Sequence, residues 1–481
     1  MKYIISIIIG LLLGVAFFKE LFIIVPLLIT AILVYVLKNH DFYKKPEFLV
    51  GLGVFVLTHS HWFVSLDRFI GQGSAILIWL GISLYFFVLW YIFFYLFKYI
   101  LQTPKGYYFI PIYWTFFEWL LTFGPFGYPF MSLYLTQANS AIQWLAYSAI
   151  SAYAVTLLLL TFSTFLALVI VGKIRNRVNV LFFVSFFCLV FVVGVDSYID
   201  SIKVKRKSVH VAVIQPNIDQ EYKTDESLFN NNLDIYFKLI NRVIKDNPDT
   251  EIIVLPENII PALWENTIKD RLCFSTNLGN RLCIMGQPVK RGEKIYNAML
   301  FYKEAKYIAE YHKRQLVPFG EYFPIISNWE NIRDVVYYSH GGKMTGPINI
   351  KSLRIAPLVC FESAFPNLSY LRKFDLGVVV TNDAWFNKYF QRLHLRTVQF
   401  RATEQYAPYV YSTNNGISAV VNHHGKLLSI IPDNKAGYLS ENLEITSGNT
   451  PFIMKFFYYF PLWIFMFLIF LKFDKKDFFN N

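Results

Sequence analysis

Charged residues are scarce in this sequence. Asp, Glu, Lys and Arg together supply 16% of its 481 residues, against about 25% in an ordinary soluble domain. With 55% of the residues hydrophobic and 19% aromatic, a wholly water-exposed surface is excluded and much of the chain must face lipid. Cysteine is scarce as well, with four residues. Cys188 lies inside an apolar run, which leaves Cys273, Cys283 and Cys360 in the more polar part. Three thiols cannot all pair, so at least one there stands alone. Cys273 and Cys283 can form a disulfide outside the cytoplasm or remain buried thiols. The sequence has no CxxC pair and no clustered Cys/His set, so no structural zinc site is expected. His59 and His61 form an H-x-H pair without further ligands. Internal repeats and low-complexity segments are also missing, which excludes repeat architectures.

What is present, first, is a series of apolar runs of about the 20 residues that cross a bilayer. Spans are expected near 3–18, 20–37, 48–64, 75–98, 107–123, 145–171 and 179–197, and again near 452–471. The first follows Lys2 and is short enough to suggest a signal peptide. It lacks an A-x-A-like cleavage site and runs almost directly into the next run, so it is read as a retained span. The net charge of +12 is unevenly placed. Lys38, Lys44, Lys45, Lys98, Lys105, Lys173, Arg175, Arg177, Lys472, Lys475 and Lys476 fall in the loops and tail of one side, whereas the short loops of the other offer Lys19 and Arg68. By the positive-inside rule both termini are cytoplasmic. After seven spans, the block from about 200 to 450 then lies outside the cytoplasm. The basic excess is topological, and no nucleic-acid partner is expected.

That block has another texture. Short β-rich runs ("VHVAVIQ", "TEIIVLPE", "RLCIMGQ", "NAMLFY", "KYIAEYHK", "RIAPLVCFE", "LGVVVTNDAW", "YVYSTNNG" and "ISAVVN") alternate with polar stretches and with helical patterns at 224–246 and 391–406. Near-continuous apolar strands indicate sheets covered on both faces, hence a layered α/β domain. The expected divisions are a membrane domain over 1–199, a catalytic domain over 200–450 and a last span with its tail over 451–481.

Polar residues recur where these strands end. "IIVLP" runs into Glu257, "YIAEYH" into Lys313, "IAPLV" into Cys360 with Glu362 two residues on, and "VVVTN" into Asp383 and Trp385. Ligands of α/β sheets gather beyond the carboxyl ends of strands, so an acid, an amine and a thiol can converge there. A thiol becomes a good nucleophile once a base takes its proton or a cation lowers its pKa. Glu257 is suited to be that base. Lys313 and the backbone N–H of Phe361 are suited to stabilise an oxyanion. Spacing alone does not decide this, because a lone cysteine is usually core and a strand-end Glu or Lys is usually solvated.

The segments "LPENIIP", "YHKRQLVPFGEYFP", "LVCFES", "TNDAWF" and "STNNGISAVV" resemble the nitrilase, or carbon-nitrogen hydrolase, superfamily. Within it, "KRQLVPFGEYFP", "NDAWF" and "STNNGISA", flanked by membrane spans, are similar to the apolipoprotein N-acyltransferase family. The resemblance covers essentially the whole chain. It implies a multi-span α-helical membrane domain joined to an αββα sandwich, a multi-pass protein of the bacterial inner membrane with its catalytic domain periplasmic.

Matched motif by motif, the resemblance implies that Glu257 is the general base, Lys313 the oxyanion stabiliser and Cys360 the nucleophile and acyl carrier. Glu321 corresponds to an additional active-site glutamate, and Glu362 to an acid supporting the nucleophile loop. Tyr222 and Trp385 are the candidate substrate-binding residues. The implied reaction takes the sn-1 acyl chain of phosphatidylethanolamine onto Cys360 and passes it to the α-amine of a diacylglyceryl-cysteine apolipoprotein. Three positions depart from the family pattern: Phe361 stands where tyrosine is usual, Asn387 where glycine is usual, and Tyr222 where tryptophan is expected. Glu118, in "FFEWLLTFGPFGYPF", is an acid near a span end, either at a lipid-facing entrance or snorkelling to the headgroups. A membrane-tethered hydrolase using water as acceptor is the alternative activity.

Overall fold

In this computed structural model the described residues are 1–103, 106–147, 151–174, 206–260, 278–304, 306–322, 338–342, 346–369 and 374–446. They divide into two compact units, one made of described residues within 1–123 and 127–174, the other of those within 124–126 and 206–446.

The first unit is helical: α1 (Lys2–Ala16), α2 (Ile24–Lys38), α3 (Pro46–Ser60), α4 (Gln72–Leu101), α5 (Ile110–Leu120) and α6 (Tyr153–Ile170). Among the described residues, Pro46–Ile70, Gln72–Leu101 and Tyr153–Ile170 are long and apolar enough to cross a membrane. α1 and α2 are apolar but shorter. α5 is shorter than the run from 107 to 123 suggested, because "TFGPFGYPF" cannot continue a helix: Gly124 takes φ +80° and prolines stand at 125 and 129. The expected spans at 179–197 and 452–471 lie outside the described residues. α1 rests on α3 through Gly10 and Gly14, where a Cβ on Gly14 would stand 2.7 Å from Cβ of Thr58. Small residues let the two backbones approach closely. Glu118 does not snorkel: it is buried, accepting the Leu133 N–H and the Thr156 hydroxyl at 3.0 Å each.

The second unit holds two six-stranded sheets. One has the order β12 (Gly437–Thr446), β1 (Arg206–Gln215), β2 (Ile252–Val254), β3 (Leu282–Arg291), β4 (Lys294–Lys303) and β5 (Lys306–His312). The other runs β11 (Leu427–Ile431), β10 (Ser418–Val421), β9 (Tyr409–Thr413), β8 (Leu376–Thr381), β7 (Leu353–Val359) and β6 (Ile348–Ile350). In each, three parallel strands (β1-β2-β3 and β7-β8-β9) are flanked by antiparallel ones.

Strand alternation explains the layering, since successive side chains leave opposite faces. Val209, Val211 and Val213 of β1 pack with Val254, Ile284, Val359, Val378 and Val380 between the sheets. The intervening Ala212 and Ile214 meet Leu233, Tyr236, Ile240 and Val243 of the amphipathic helix α8, which spans Phe229–Asp246 behind the short α7 (Gln220–Thr224). On the other side, Leu358, Val379 and Tyr411 pack on Leu395, Val398 and Ala402 of α9 (Lys388–Gln405). The result is an αββα sandwich, apolar between its sheets and covered by helices on both outer faces.

Local sequence sets the helix ends. α8 starts at 229 instead of 224, because Asp225 accepts the Ser227 N–H at 2.8 Å and turns the chain first. α9 starts at 388 because the Asn387 side chain accepts the N–H groups of Tyr389 and Phe390 at 3.1 Å each. This is an N-cap, and it gives a local reason for asparagine at a position where glycine was expected. Gly286 on β3 is required by close approach, for a Cβ there would lie 2.5 Å from Cα of Glu257.

Candidate active site

Four strand ends deliver the polar groups. Glu257 follows β2, Lys313 follows β5, Cys360 follows β7, and Asn382 and Asp383 follow β8. The parallel strands β2, β7 and β8 present their carboxyl ends to one site, and the edge strand β5 adds Lys313.

Lys313 is 1% exposed. Its Nζ donates to Oε1 of Glu321 at 2.9 Å and lies 3.7 Å from Oε1 of Glu257. The Asn297 amide bridges the two acids, donating to Oε1 of Glu257 and Oε1 of Glu321 at 2.7 Å each. Oε2 of Glu257 accepts the Asn382 N–H at 2.9 Å, and Oε2 of Glu321 accepts the Val317 N–H at 2.7 Å. Burial disfavours the lysine cation, but the carboxylates of Glu321 at 2.9 Å and Glu257 at 3.7 Å outweigh it and raise its pKa, so it stays an ammonium.

Cys360 is buried, at 8% exposure. Its backbone takes the left-handed conformation, φ +52°, which costs a non-glycine residue about 1–2 kcal/mol. Burial pushes its thiol well up, Glu257 adds to that and Lys313 opposes it. The resting group is therefore a thiol, next to a carboxylate–ammonium pair able to receive its proton and hold the negative charge of its reaction.

Glu362 pins the turn that carries Cys360. It accepts the N–H groups of Arg314, Gln315 and Val359 at 2.7, 3.2 and 2.8 Å, and the Tyr311 hydroxyl at 2.8 Å. Burial raises its pKa, with Arg314 and these donors opposing. Phe361 is half-buried and packs edge-on against Phe365, ring centroids 4.9 Å apart, a contact that uses only the aromatic ring. Tyr222 is exposed, and Trp385 is marginally so at the end of the short turn Asp383–Trp385. The Asn414 side-chain amide donates to Oδ1 of Asn382 at 3.2 Å and to the Ile218 carbonyl at 2.8 Å. Cys273 lies outside the described residues. No group of three or more His, Cys, Asp and Glu side chains able to hold a metal occurs among the described residues.

Sequence reasoning missed Asn297, Tyr311 and Lys223. Asn297 is at the start of the "NAMLFY" strand and Tyr311 lies inside "KYIAEYHK", where each reads as one polar or aromatic residue among others. Lys223 is buried, its Nζ donating to the Glu257 carbonyl at 3.0 Å. Burial holds its pKa down at about 7, with Glu257 opposing.

Residues 210–447 match the carbon-nitrogen hydrolase family model. The apolipoprotein N-acyltransferase of Coxiella burnetii is 28% identical over 368 residues, 73% of either chain. That of Photobacterium profundum is 29% identical over 433 residues, covering 84% of this chain and 81% of its own. Among solved structures, Nit3 of Saccharomyces cerevisiae, a member of the nitrilase superfamily, aligns with 53% of this chain and 94% of its own at 19% identity and a TM-score of 0.40.

Proposed function

We propose an activity from one premise: this chain belongs to the apolipoprotein N-acyltransferase family of the carbon-nitrogen hydrolases. It N-acylates lipoproteins, taking a fatty acyl chain from a membrane phospholipid to the α-amine of a diacylglyceryl-modified N-terminal cysteine. The observation that carries the reading is the buried Glu257–Lys313–Cys360 cluster at the strand ends, with Glu321 bonded to the lysine.

The chemistry runs in two halves. Cys360 attacks the ester carbonyl of the phospholipid, with the sn-1 chain of phosphatidylethanolamine as the donor, while Glu257 accepts the thiol proton. Lys313 and the Phe361 N–H stabilise the oxyanion. Collapse releases the lysophospholipid, whose alkoxide takes the proton back from Glu257, and leaves a thioester on Cys360. The acceptor amine then attacks, Glu257 removes its proton, and the amide departs as the thiol reforms. Glu321 keeps Lys313 in place, and Glu362 keeps the nucleophile turn. Tyr222 and Trp385 flank the lipid substrates. No step draws on a metal or a soluble cofactor.

The spans explain why such a site belongs at a bilayer, since donor and acceptor are both lipid-anchored. Both termini are placed in the cytoplasm and the block over 200–450 outside it, the spans holding the protein in the inner membrane. The test is to supply a phospholipid with a labelled acyl chain and a diacylglyceryl lipopeptide. Label on the lipopeptide amine supports transfer. Label released only as free fatty acid favours the water-using hydrolase and overturns the proposal.

A further inference from the structure

One buried constellation beside Cys360 has no part in the proton and acyl transfers above. His394 projects from α9 and is 1% exposed. Its Nε2 lies 3.1 Å from the carbonyl oxygen of Cys360. Its Nδ1 lies 3.1 Å from Oδ1 of Asp383 and 2.9 Å from the Tyr411 hydroxyl. Tyr411 donates to Oδ2 of Asp383 at 2.6 Å, and Thr381 donates to Oδ1 at 2.9 Å. Asp383, Tyr411 and Thr381 are all fully buried.

The donors can be assigned by elimination. A carbonyl oxygen only accepts, so Nε2 must carry a hydrogen. Asp383 and Tyr411 hold the opposite edge of the ring, and partners on both edges fix its orientation. One side chain on α9 thereby ties together the ends of β7 and β8 and the middle of β9. The tie lands on a residue whose left-handed backbone, φ +52°, is disfavoured for any side chain but glycine. Such a conformation persists only where its surroundings over-determine it.

We propose that His394 is a positioning residue for the nucleophile: its Nε2–H clamps the Cys360 carbonyl, Asp383 and Tyr411 lock the ring, and the clamp holds the thiol in its attacking orientation. This rests on the acyl-carrier reading of Cys360 and adds residues that hold it. A displacement of about 1 Å at a reacting atom is worth up to about a hundredfold in rate, so the clamp acts on kcat and not on lipid binding.

Two substitutions separate this from a packing role. His394→Phe keeps a flat ring and removes the donor, while His394→Gln keeps an N–H donor near the place of Nε2. The readouts are the alkylation rate of Cys360 by iodoacetamide, followed by mass spectrometry on the full-length protein, and kcat and KM of acyl transfer. The expected result is alkylation and kcat about tenfold or more slower in His394→Phe with KM unchanged, and recovery of most of both in His394→Gln. Wild-type alkylation in His394→Phe, or no recovery in a folded His394→Gln, overturns the clamp. Should His394→Phe fail to fold, Tyr411→Phe removes one ring partner. Slower alkylation there supports the proposal, and an unchanged rate contradicts it. Alkylation needs no lipid, so if acyl transfer is absent while the alkylation order holds, the clamp stands and the transferase reading falls.

Discussion

Glu257 and Glu362 are both buried glutamates beside one thiol, yet their partners differ, and with them the work the proposed mechanism gives each. Glu362 is saturated, with three backbone N–H groups and a tyrosine hydroxyl on its two oxygens. Glu257 receives one amide N–H on each oxygen and keeps the Lys313 ammonium 3.7 Å away. A carboxylate offers about four lone-pair sites, so Glu362 has none left for a travelling proton while Glu257 has. On the proposed mechanism, the difference between a base and a pin is therefore a matter of partners, since burial is common to both.

Exchanging either acid for its amide should break the comparison in opposite ways. Glu257→Gln is expected to lower acyl transfer about 10³-fold per folded molecule, within the range for a lost general base, a loss far larger than any it causes in the amount of folded protein. A Glu257→Gln enzyme keeping a tenth of its activity would remove the base from the account. Glu362→Gln turns an acceptor into a donor facing N–H groups. It is expected to cost about 2–3 kcal/mol, seen as a melting temperature about 5–10 °C lower, with a smaller loss of activity per folded molecule. An unchanged melting temperature would show that the saturated acid is not a pin.

Lys223 sharpens the comparison through pH. Its folded pKa is held down to about 7, whereas an unfolded lysine titrates at about 10.4. Between these values the unfolded chain binds more protons, so this group makes stability rise with pH, by at most about 1.4 kcal/mol per pH unit. Below pH 7 the full penalty of a buried ammonium is present. In thermal melts, wild type should therefore gain on Lys223→Met between pH 7 and 9, and a gap that stays flat or shrinks would contradict the burial. The smallest effect is reserved for Asn387→Gly, which restores the residue the family pattern expects. As an N-cap change it should cost only about a few tenths of a kcal/mol, and a melting-temperature loss beyond about 3 °C would give Asn387 a larger part than capping.

Much of the sandwich was legible because its central strands are apolar on both faces. "LGVVVT" and "YVYST" are fully buried, and such runs announce themselves. β12 was not legible: "GYLSENLEIT" alternates polar and apolar residues at a sheet edge, yet pairs with β1 along the whole of Arg206–Gln215. β6 has three residues and carries no periodicity at all. The triad positions were visible as polar residues at strand ends, and their family resemblance gave them roles. Asn297, His394 and Lys223 remained hidden because an amide, an imidazole or an amine inside an amphipathic pattern looks solvated. Only the packing of another layer against it shows otherwise. In the first unit, hydropathy located the apolar runs but not where proline and glycine cut the helix at Leu120.

The central claim is that Cys360 carries the acyl chain. The most direct measurement is intact-protein mass spectrometry after incubating the full-length protein with phospholipid and no acceptor. The account predicts a single acyl adduct on Cys360, labile to hydroxylamine, absent from Cys360→Ala and discharged on adding a lipopeptide amine. Acyl transfer proceeding normally in Cys360→Ala, with no adduct on the wild-type protein, would contradict it.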